Sequence, residues 1–233
     1  MFDAMDRQSE LKAHAAAAAL EHVRSGQIVG LGSGSTATLF IQQLADKLSR
    51  GELTDIRGVP TSRESETIAR DAGIPIVGLD SASHCDLVVD GADEVDPELD
   101  LIKGLGGALL REKIVAQNSR RRIIIVDQSK LVDKLGTKGP LPVEVLPFAS
   151  ERLPDFFKAL GGVPVLRERN GKPYVTDNGN LIYDLAFPGG IDDPAELEDA
   201  LLERAGVIET GLFLNIADEV IIATGDHIET KSR

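Results

Sequence analysis

The chain has 233 residues, a hydrophobic fraction of 42% and a formal net charge of −13, enough for one large domain or two small ones with ordinary globular cores. That acidity argues against general nucleic-acid binding, which needs a basic face, yet it allows a phosphorylated small molecule held by a local pocket of lysines and backbone amides. No apolar run reaches the ~18 residues of a membrane span and no signal-like segment opens the chain, so a cytoplasmic protein with neither membrane nor nucleic-acid partners is expected.

In chain order, residues 9–23 read as an alanine-rich helix with Ser9 as its cap. Residues 27–31 form a strand that runs into Gly32-Ser33-Gly34-Ser35-Thr36, and residues 37–48 a helix with Leu39, Phe40, Ile41 and Leu44 on its buried side. Strands are expected at 58–61 and 75–79, with a helix over 64–71 between them. Leu87-Val88-Val89 is an apolar, β-branched strand ending at Asp90, where Gly91 permits a tight turn. A helix over 108–117 and a fully buried strand over 122–126, ending at Asp127, complete an alternating pattern. Such alternation predicts a Rossmann-like, mainly parallel sheet with helices on both faces.

The pattern changes near Gly139-Pro140-Leu141-Pro142. A strand at 143–145, a helix over 151–160 and a strand at 163–166 follow. Residues 174–185 are strand-rich and contain Asn178-Gly179, which reads either as a hairpin turn or as part of one long bulged strand. Asp193-Pro194 starts a helix through residue 205, and 207–213 is a strand. This is a smaller α+β domain of split βαβ, ferredoxin-like type. The apolar strand 219–223 belongs back in the first sheet. The expected organisation is therefore an α/β catalytic domain of residues 1–139 and 216–233, with a small α+β domain of residues 140–215.

Two segments carry chemistry. In an open α/β sheet ligands sit at the carboxyl ends of strands, and that is where Asp90, Gly91, Ala92, Asp93 and Glu94 fall. Lys103-Gly104-Leu105-Gly106-Gly107 and then Glu112 come soon after. Two carboxylates, a lysine and a glutamate suit proton movement on a polyhydroxylated anion. Taken alone, an Asp-rich turn is more often a solvated loop; the glycine-flanked lysine and the helix behind it favour a site. The loop Gly30 to Thr36 offers amides, hydroxyls and a helix N-terminus, an anion cradle. Gly32-Ser33-Gly34-Ser35-Thr36-Ala37 also matches the dinucleotide pattern G-x-G-x-x-A, but the second strand ends at Thr61-Ser62 with no acid to hold a ribose. A Walker loop is excluded because no Gly-Lys-Ser/Thr follows. The lone cysteine, Cys85, excludes an internal disulfide, and His14, His22, His84 and His227 lack metal-ligand spacing, so no metal is expected.

These segments, with Asp127-Gln128-Ser129-Lys130, Leu141-Pro142-Val143-Glu144-Val145 and Thr176-Asp177-Asn178-Gly179-Asn180, resemble the type A ribose-5-phosphate isomerase family over nearly the whole chain. The resemblance implies interconversion of D-ribose 5-phosphate and D-ribulose 5-phosphate without a metal or an organic cofactor, by a homo-oligomer, most simply a dimer. It implies Glu112 as the base that moves a proton between adjacent carbons. Lys103, helped by the backbone amides of Gly104, Leu105, Gly106 and Gly107, would stabilise the enediolate oxyanion, and Asp90 would serve ring opening. Asp93 would orient hydroxyls or support Lys103; Ser33, Gly34, Ser35 and Thr36 would bind phosphate, and Lys12 and Lys130 would lie near the substrate. Two departures stand out: Ser33 occupies a position where the family often has Thr, keeping the hydroxyl, and Leu105 offers only its backbone.

Three other readings compete. A phosphosugar sensor would bind without turnover, but no helix-turn-helix precedes Ile28. An amino-sugar phosphate deaminase would need a group for the amine, and His84 falls before the strand, at its wrong end; a sugar lactonase is a further enzyme of related architecture. A nicotinamide-dependent dehydrogenase lacks its ribose-binding acid.

Overall fold

A computed structural model describes residues 2–225 and 227–233. Its elements begin α1 (Phe2–Leu20), β1 (Ile28–Leu31), α2 (Ser35–Ser49), β2 (Arg57–Pro60), α3 (Arg63–Asp71), β3 (Leu87–Asp90), β4 (Glu94–Val95), β5 (Leu101–Ile102), α4 (Leu109–Gln117) and β6 (Arg122–Asp127). They continue β7 (Leu141–Val145), α5 (Pro154–Ala159), β8 (Val163–Leu166), β9 (Glu168–Arg169), β10 (Lys172–Pro173), β11 (Leu181–Ala186), α6 (Pro194–Leu202), β12 (Val207–Thr210), β13 (Leu212–Phe213), β14 (Glu219–Thr224) and β15 (His227–Ser232). The chain divides into two compact units: Met1–Ala92 with Arg111–Lys130 and Ile216–Arg233, and Asp93–Leu110 with Leu131–Asn215.

The first unit is built on a six-stranded sheet in the order β15-β14-β6-β3-β1-β2, parallel except for β15. Strand side chains alternate between faces. Val29, Leu31, Leu87, Val89, Ile123, Ile125 and Ile221 meet α1, α2 and α3 through Ala15, Ala19, Phe40, Ile41, Leu44 and Ala69. On the opposite face Val88 and Val59 meet Val115 and Ala116 of α4. Gly30 is needed there, since a β-carbon on it would lie 2.7 Å from Val88 Cβ and 2.9 Å from Val115 Cγ1. The Rossmann-like, mainly parallel sheet with helices on both faces is thus present.

Three local expectations for this unit are corrected. The first helix starts at Phe2, so Ser9 lies inside it and does not cap it. Residues 75–79 make a single parallel bridge, Ile76 to Gly58, and not a strand. Pro75 has no N–H to extend a ladder, and from Gly78 the chain turns into a 3-10 turn at Leu79–Ser81. The polar strand β15 was not anticipated: its residues are all exposed, without an apolar face, and its conformation comes from pairing along β14.

The second unit holds a four-stranded antiparallel sheet in the order β12-β7-β11-β8, with α5 and α6 connecting strands in β-α-β-β-α-β sequence. That is the ferredoxin-like arrangement expected. Val143, Val145, Phe157, Tyr183, Leu185, Leu197 and Leu201 fill its core. Asp193 caps α6 by accepting from the Glu196 amide at 2.9 Å, and Pro194 follows at the first helical position. A three-stranded sheet, β13-β5-β4, joins Asp93–Leu110 to this unit, because Leu101 and Ile102 pair with Phe213 and Leu212. The carboxylate of Glu94, 1% exposed, accepts the amides of Gly136, Lys138 and Gly139 at 2.6–2.8 Å. Segments 93–110 and 131–139, which the sequence pattern groups with the α/β part, therefore have their partners in this unit.

The hairpin in this unit lies elsewhere than at Asn178-Gly179. Asn170 and Gly171, both at positive φ (56° and 71°), make the two-residue turn between β9 and β10. Thr176 to Asn180 is a closed turn instead, bound by the buried Glu144, whose Oε1 accepts from Thr176 Oγ1, Asn178 Nδ2 and Asn180 Nδ2 at 2.8–3.2 Å. The predicted strand 207–213 breaks at Gly211, so β12 and β13 enter different sheets. A side chain at Gly211 would sit 2.4 Å from the Lys103 carbonyl.

Candidate functional site

In the first unit, β1, β3 and β6 end side by side, and the polar residues gather at those carboxyl ends. The loop after β1 hydrogen-bonds the tip of β3. Gly32 N–H donates to Val89 O at 3.0 Å, and Ser33 N–H and Gly91 N–H both donate to Asp90 Oδ1, at 3.0 and 2.7 Å. Asp90 is 3% exposed, so its carboxylate is fixed by amides within a largely dry site. Gly34, at φ 86°, precedes α2, whose N-terminus carries no side-chain cap and no acidic residue in its first turn. Those amides and the helix dipole suit an anion.

The remaining residues of this cradle fall as follows. Lys12 Nζ donates to Ser35 Oγ at 3.0 Å. A cleft of ≈ 550 Å³ has Gln8, Lys12, Gly34, Ser35, Thr38 and Gln42 among its lining residues, together with one carboxylate, Glu64. Thr36 is half-buried in the first turn of α2. The Ser33 hydroxyl is turned inward: it lies 2.8 Å from Thr61 Oγ1 and donates to Ser62 Oγ at 2.7 Å. Thr61 and Ser62 stand at the tip of β2. Sequence reasoning used them only to reject a dinucleotide site, although their place beside β1 marked them as loop supports.

Lys130 follows β6 in a short 3-10 turn beside Asp127. Asp127 is buried; burial works to raise its carboxyl, but hydrogen bonds from Ser129 and Gln8 and the charge of Lys130 hold it below the ordinary value. Gly91 and Ala92 are half-buried beyond β3. Glu112 stands in the first turn of α4 and is 5% exposed, so it is no solvated helix glutamate.

In the second unit, Lys103 follows β5 and is 3% exposed. Its amide donates to Gly211 O at 2.9 Å and its ammonium lies 5.5 Å from the centre of the Phe213 ring. Gly104 (φ 99°) and Gly107 (φ 90°) bend the loop that follows, closed by Gly107 N–H donating to Gly104 O at 2.9 Å. Asp93 Oδ2 accepts the Leu105 amide at 2.9 Å, so this carboxylate holds the loop. Leu105 and Gly106 are exposed at its apex. Among the described residues no group of three His, Cys, Asp or Glu side chains is placed to hold a metal ion. Nor is any helix among them long and apolar enough to cross a membrane.

Comparison with known proteins matches residues 57–227 to the family described as ribose 5-phosphate isomerase A (phosphoriboisomerase A). A ribose-5-phosphate isomerase A from Desulfatibacillum aliphaticivorans is 51% identical over 225 residues, covering 96% of this chain and 97% of the relative. A solved D-ribose-5-phosphate isomerase in complex with phospho-erythronic acid superposes with a TM-score of 0.93 at 45% identity, covering 96% and 98% of the two chains. The ribose 5-phosphate isomerase A of Methanocaldococcus jannaschii gives a TM-score of 0.91 at 42% identity, covering 96% and 99%.

Proposed function

The chain belongs to the ribose 5-phosphate isomerase A family, aldose–ketose isomerases that interconvert ribose 5-phosphate and ribulose 5-phosphate, and from that premise we propose how its residues divide the work. The observation that carries the proposal is the Asp90 carboxylate held by the Ser33 and Gly91 amides beside the uncapped N-terminus of α2. A proton-handling group at the tip of β3 and an anion cradle after β1 are thus joined by one hydrogen bond.

The phosphate binds at Ser33, Gly34, Ser35 and Thr36, with charge from Lys12 and Lys130. Of these, Ser33 shapes the cradle more than it donates to it, since its hydroxyl is bound to Thr61 and Ser62 and its amide to Asp90. Asp90 takes and returns the hydroxyl proton as the sugar ring opens, with Gly91 and Ala92 shaping the loop beside it. Glu112 removes the proton from the carbon beside the carbonyl and returns it to the neighbouring carbon, a step for which general base catalysis contributes roughly a hundred- to ten-thousandfold. The enediolate carries its negative charge on oxygen, and a buried ammonium at Lys103 with the Gly104 and Gly106 amides offsets that charge most strongly where water is excluded, the Leu105 amide being bound to Asp93. Asp93 keeps those amides in place.

Catalysis is assigned to residues 1–139 and 216–233, including segments 93–110 and 131–139 that pack within the second unit, and assembly to residues 140–215. The small unit supports an assembly role by exposing Phe148 (95%), Val163 (52%) and Val165 (60%). A cytoplasmic homodimer is the form proposed.

A metal-free assay of ribose 5-phosphate in deuterated water, followed by proton NMR, tests the reading. Interconversion with deuterium at the ketose C1 is expected. Binding without conversion would replace it with a phosphosugar sensor.

A further inference from the structure

The three glycines at 104, 106 and 107 leave the loop after Lys103 little conformational preference of its own. A preorganised set of amides nonetheless requires it to be held still. We propose that Arg167 is the residue that holds it, acting as a positioning residue for the isomerisation through the backbone of Gly104 and Leu105. The inference rests on the assignment of the Gly104 and Gly106 amides to the enediolate.

Arg167 lies between β8 and β9, with its backbone fixed by two hydrogen bonds of 2.8 Å, its N–H donating to Ile182 O and its carbonyl accepting from Tyr174 N–H. Its side chain is 13% exposed and its guanidinium is bound on two edges. Toward the sheet, Nε and Nη2 donate to Asp184 Oδ2 and Oδ1 at 2.9 and 2.5 Å. Toward the loop, Nη1 donates to Gly104 O at 3.1 Å and Leu105 O at 3.0 Å. Four hydrogen bonds in a planar fork are available to arginine and not to lysine.

The carbonyls so held set the amides. In a trans peptide the N–H points opposite to the C=O of the same unit. With the Gly104 carbonyl on Arg167, the Leu105 amide is turned to Asp93 Oδ2, 2.9 Å away. With the Leu105 carbonyl also on Arg167, the Gly106 amide is presented on the face away from the guanidinium. Tyr174 closes the other end: its hydroxyl packs so near Gly107 that a β-carbon there would lie 2.3 Å from it. Arg167 and Arg169 stand 5.9 and 5.2 Å from the Tyr174 ring centre. Arg167 thus joins the two motifs that the proposed chemistry leaves unused, the sheet carrying Glu144 and the 174–180 segment, to the loop that it uses.

The test compares R167K, R167M, D184N and R169M with the wild-type chain in ribose 5-phosphate turnover, phospho-erythronic acid binding and thermal melting. A misplacement of catalytic donors by about 1 Å costs on the order of a hundredfold. R167K and R167M are therefore expected to lower kcat on the order of 10- to 100-fold, with KM changed less than about threefold. Affinity for phospho-erythronic acid should fall in parallel with kcat, since its carboxylate offers two oxygens on a planar carbon as the enediolate does. D184N, which leaves the guanidinium but loosens its anchor, should fall between, and serves if R167M does not fold. R169M, which touches Tyr174 but not the loop, should match the wild type. A folded R167K with wild-type kcat, a rise in KM alone, or a lowered melting temperature at unchanged kcat would each overturn the role. A wild-type chain unable to interconvert the sugars would instead count against the isomerase reading, and the role of Arg167 would go with it.

Discussion

Asp90 Oδ1 accepts the Ser33 amide at 3.0 Å, and a β-carbon placed on Gly32 would lie 2.3 Å from that same oxygen. The carboxylate at the tip of β3 and the loop after β1 are therefore one fitted object, and neither can move without the other.

Gly32→Ala should consequently damage catalysis while every titrating side chain is kept. The added methyl meets Asp90 at its side chain and at its α-carbon, 2.6 Å away, and the backbone atom cannot swing aside. A displacement of about 1 Å in a catalytic group costs on the order of a hundredfold. Turnover of ribose 5-phosphate should fall by about that factor, while circular dichroism shows retained secondary structure.

Glu112→Gln should lower kcat by at least a hundredfold and on the order of ten-thousandfold at most, the range for a lost general base. Calorimetric titration with phospho-erythronic acid should show nearly unchanged affinity, since the amide keeps the volume of a side chain that is 5% exposed. An active variant would remove Glu112 from the base role.

Lys103→Ala should lower kcat more than it raises KM, because the charge acts on the intermediate more than on the bound sugar. The ammonium also leaves the Phe213 ring, 5.5 Å away, so a small fall in melting temperature should accompany it. A change confined to KM would make Lys103 a binding residue.

Ser33→Ala tests the inward-facing hydroxyl. Its buried partners keep other hydrogen bonds, Thr61 to the Leu31 carbonyl and Ser62 to Ser65, so each lost contact costs about 0.5–1.5 kcal/mol. Denaturant unfolding should register that loss. The Ser33 amide remains on Asp90, so kcat should move far less than in Gly32→Ala.

Asp127 sets a pH signature. Its carboxyl is held below the ordinary value against burial, by Ser129, Gln8 and Lys130. A group whose folded value is depressed contributes stability that is complete above the ordinary carboxylate value of about 4 and lost as pH falls through the folded value. Asp127→Asn should therefore melt below the wild type at pH 7, with the gap closing as the pH is taken below about 4. A gap independent of pH would show that charge plays no part.

Much of the site was legible in the chain because it is local. Asp90 and Gly91 are adjacent, Gly32 to Thr36 is one strand–loop–helix, and Lys103 to Gly107 is one run, so spacing along the sequence already placed each motif at a strand end. Alternation of apolar runs with helices gave the parallel sheet, and the turn from it to β-α-β-β-α-β gave the small unit, because each pattern is the period of a buried face. What remained hidden depends on partners distant in sequence. The inward turn of the Ser33 hydroxyl needs Thr61 and Ser62, and the capture of residues 136–139 by Glu94 needs a loop some forty residues on. The strand β15 is polar throughout and exists because β14 offers it an edge.

The sequence by itself determined the fold class, most of its helices and buried strands and the family, since these follow from hydrophobic period and from ordered motifs that no packing needs to reveal. Only the tertiary structure decided which side chains do the holding. A hydrogen bond such as that from Arg167 to the Gly104 carbonyl, 63 residues apart, depends on distance in space and carries no trace in the chain.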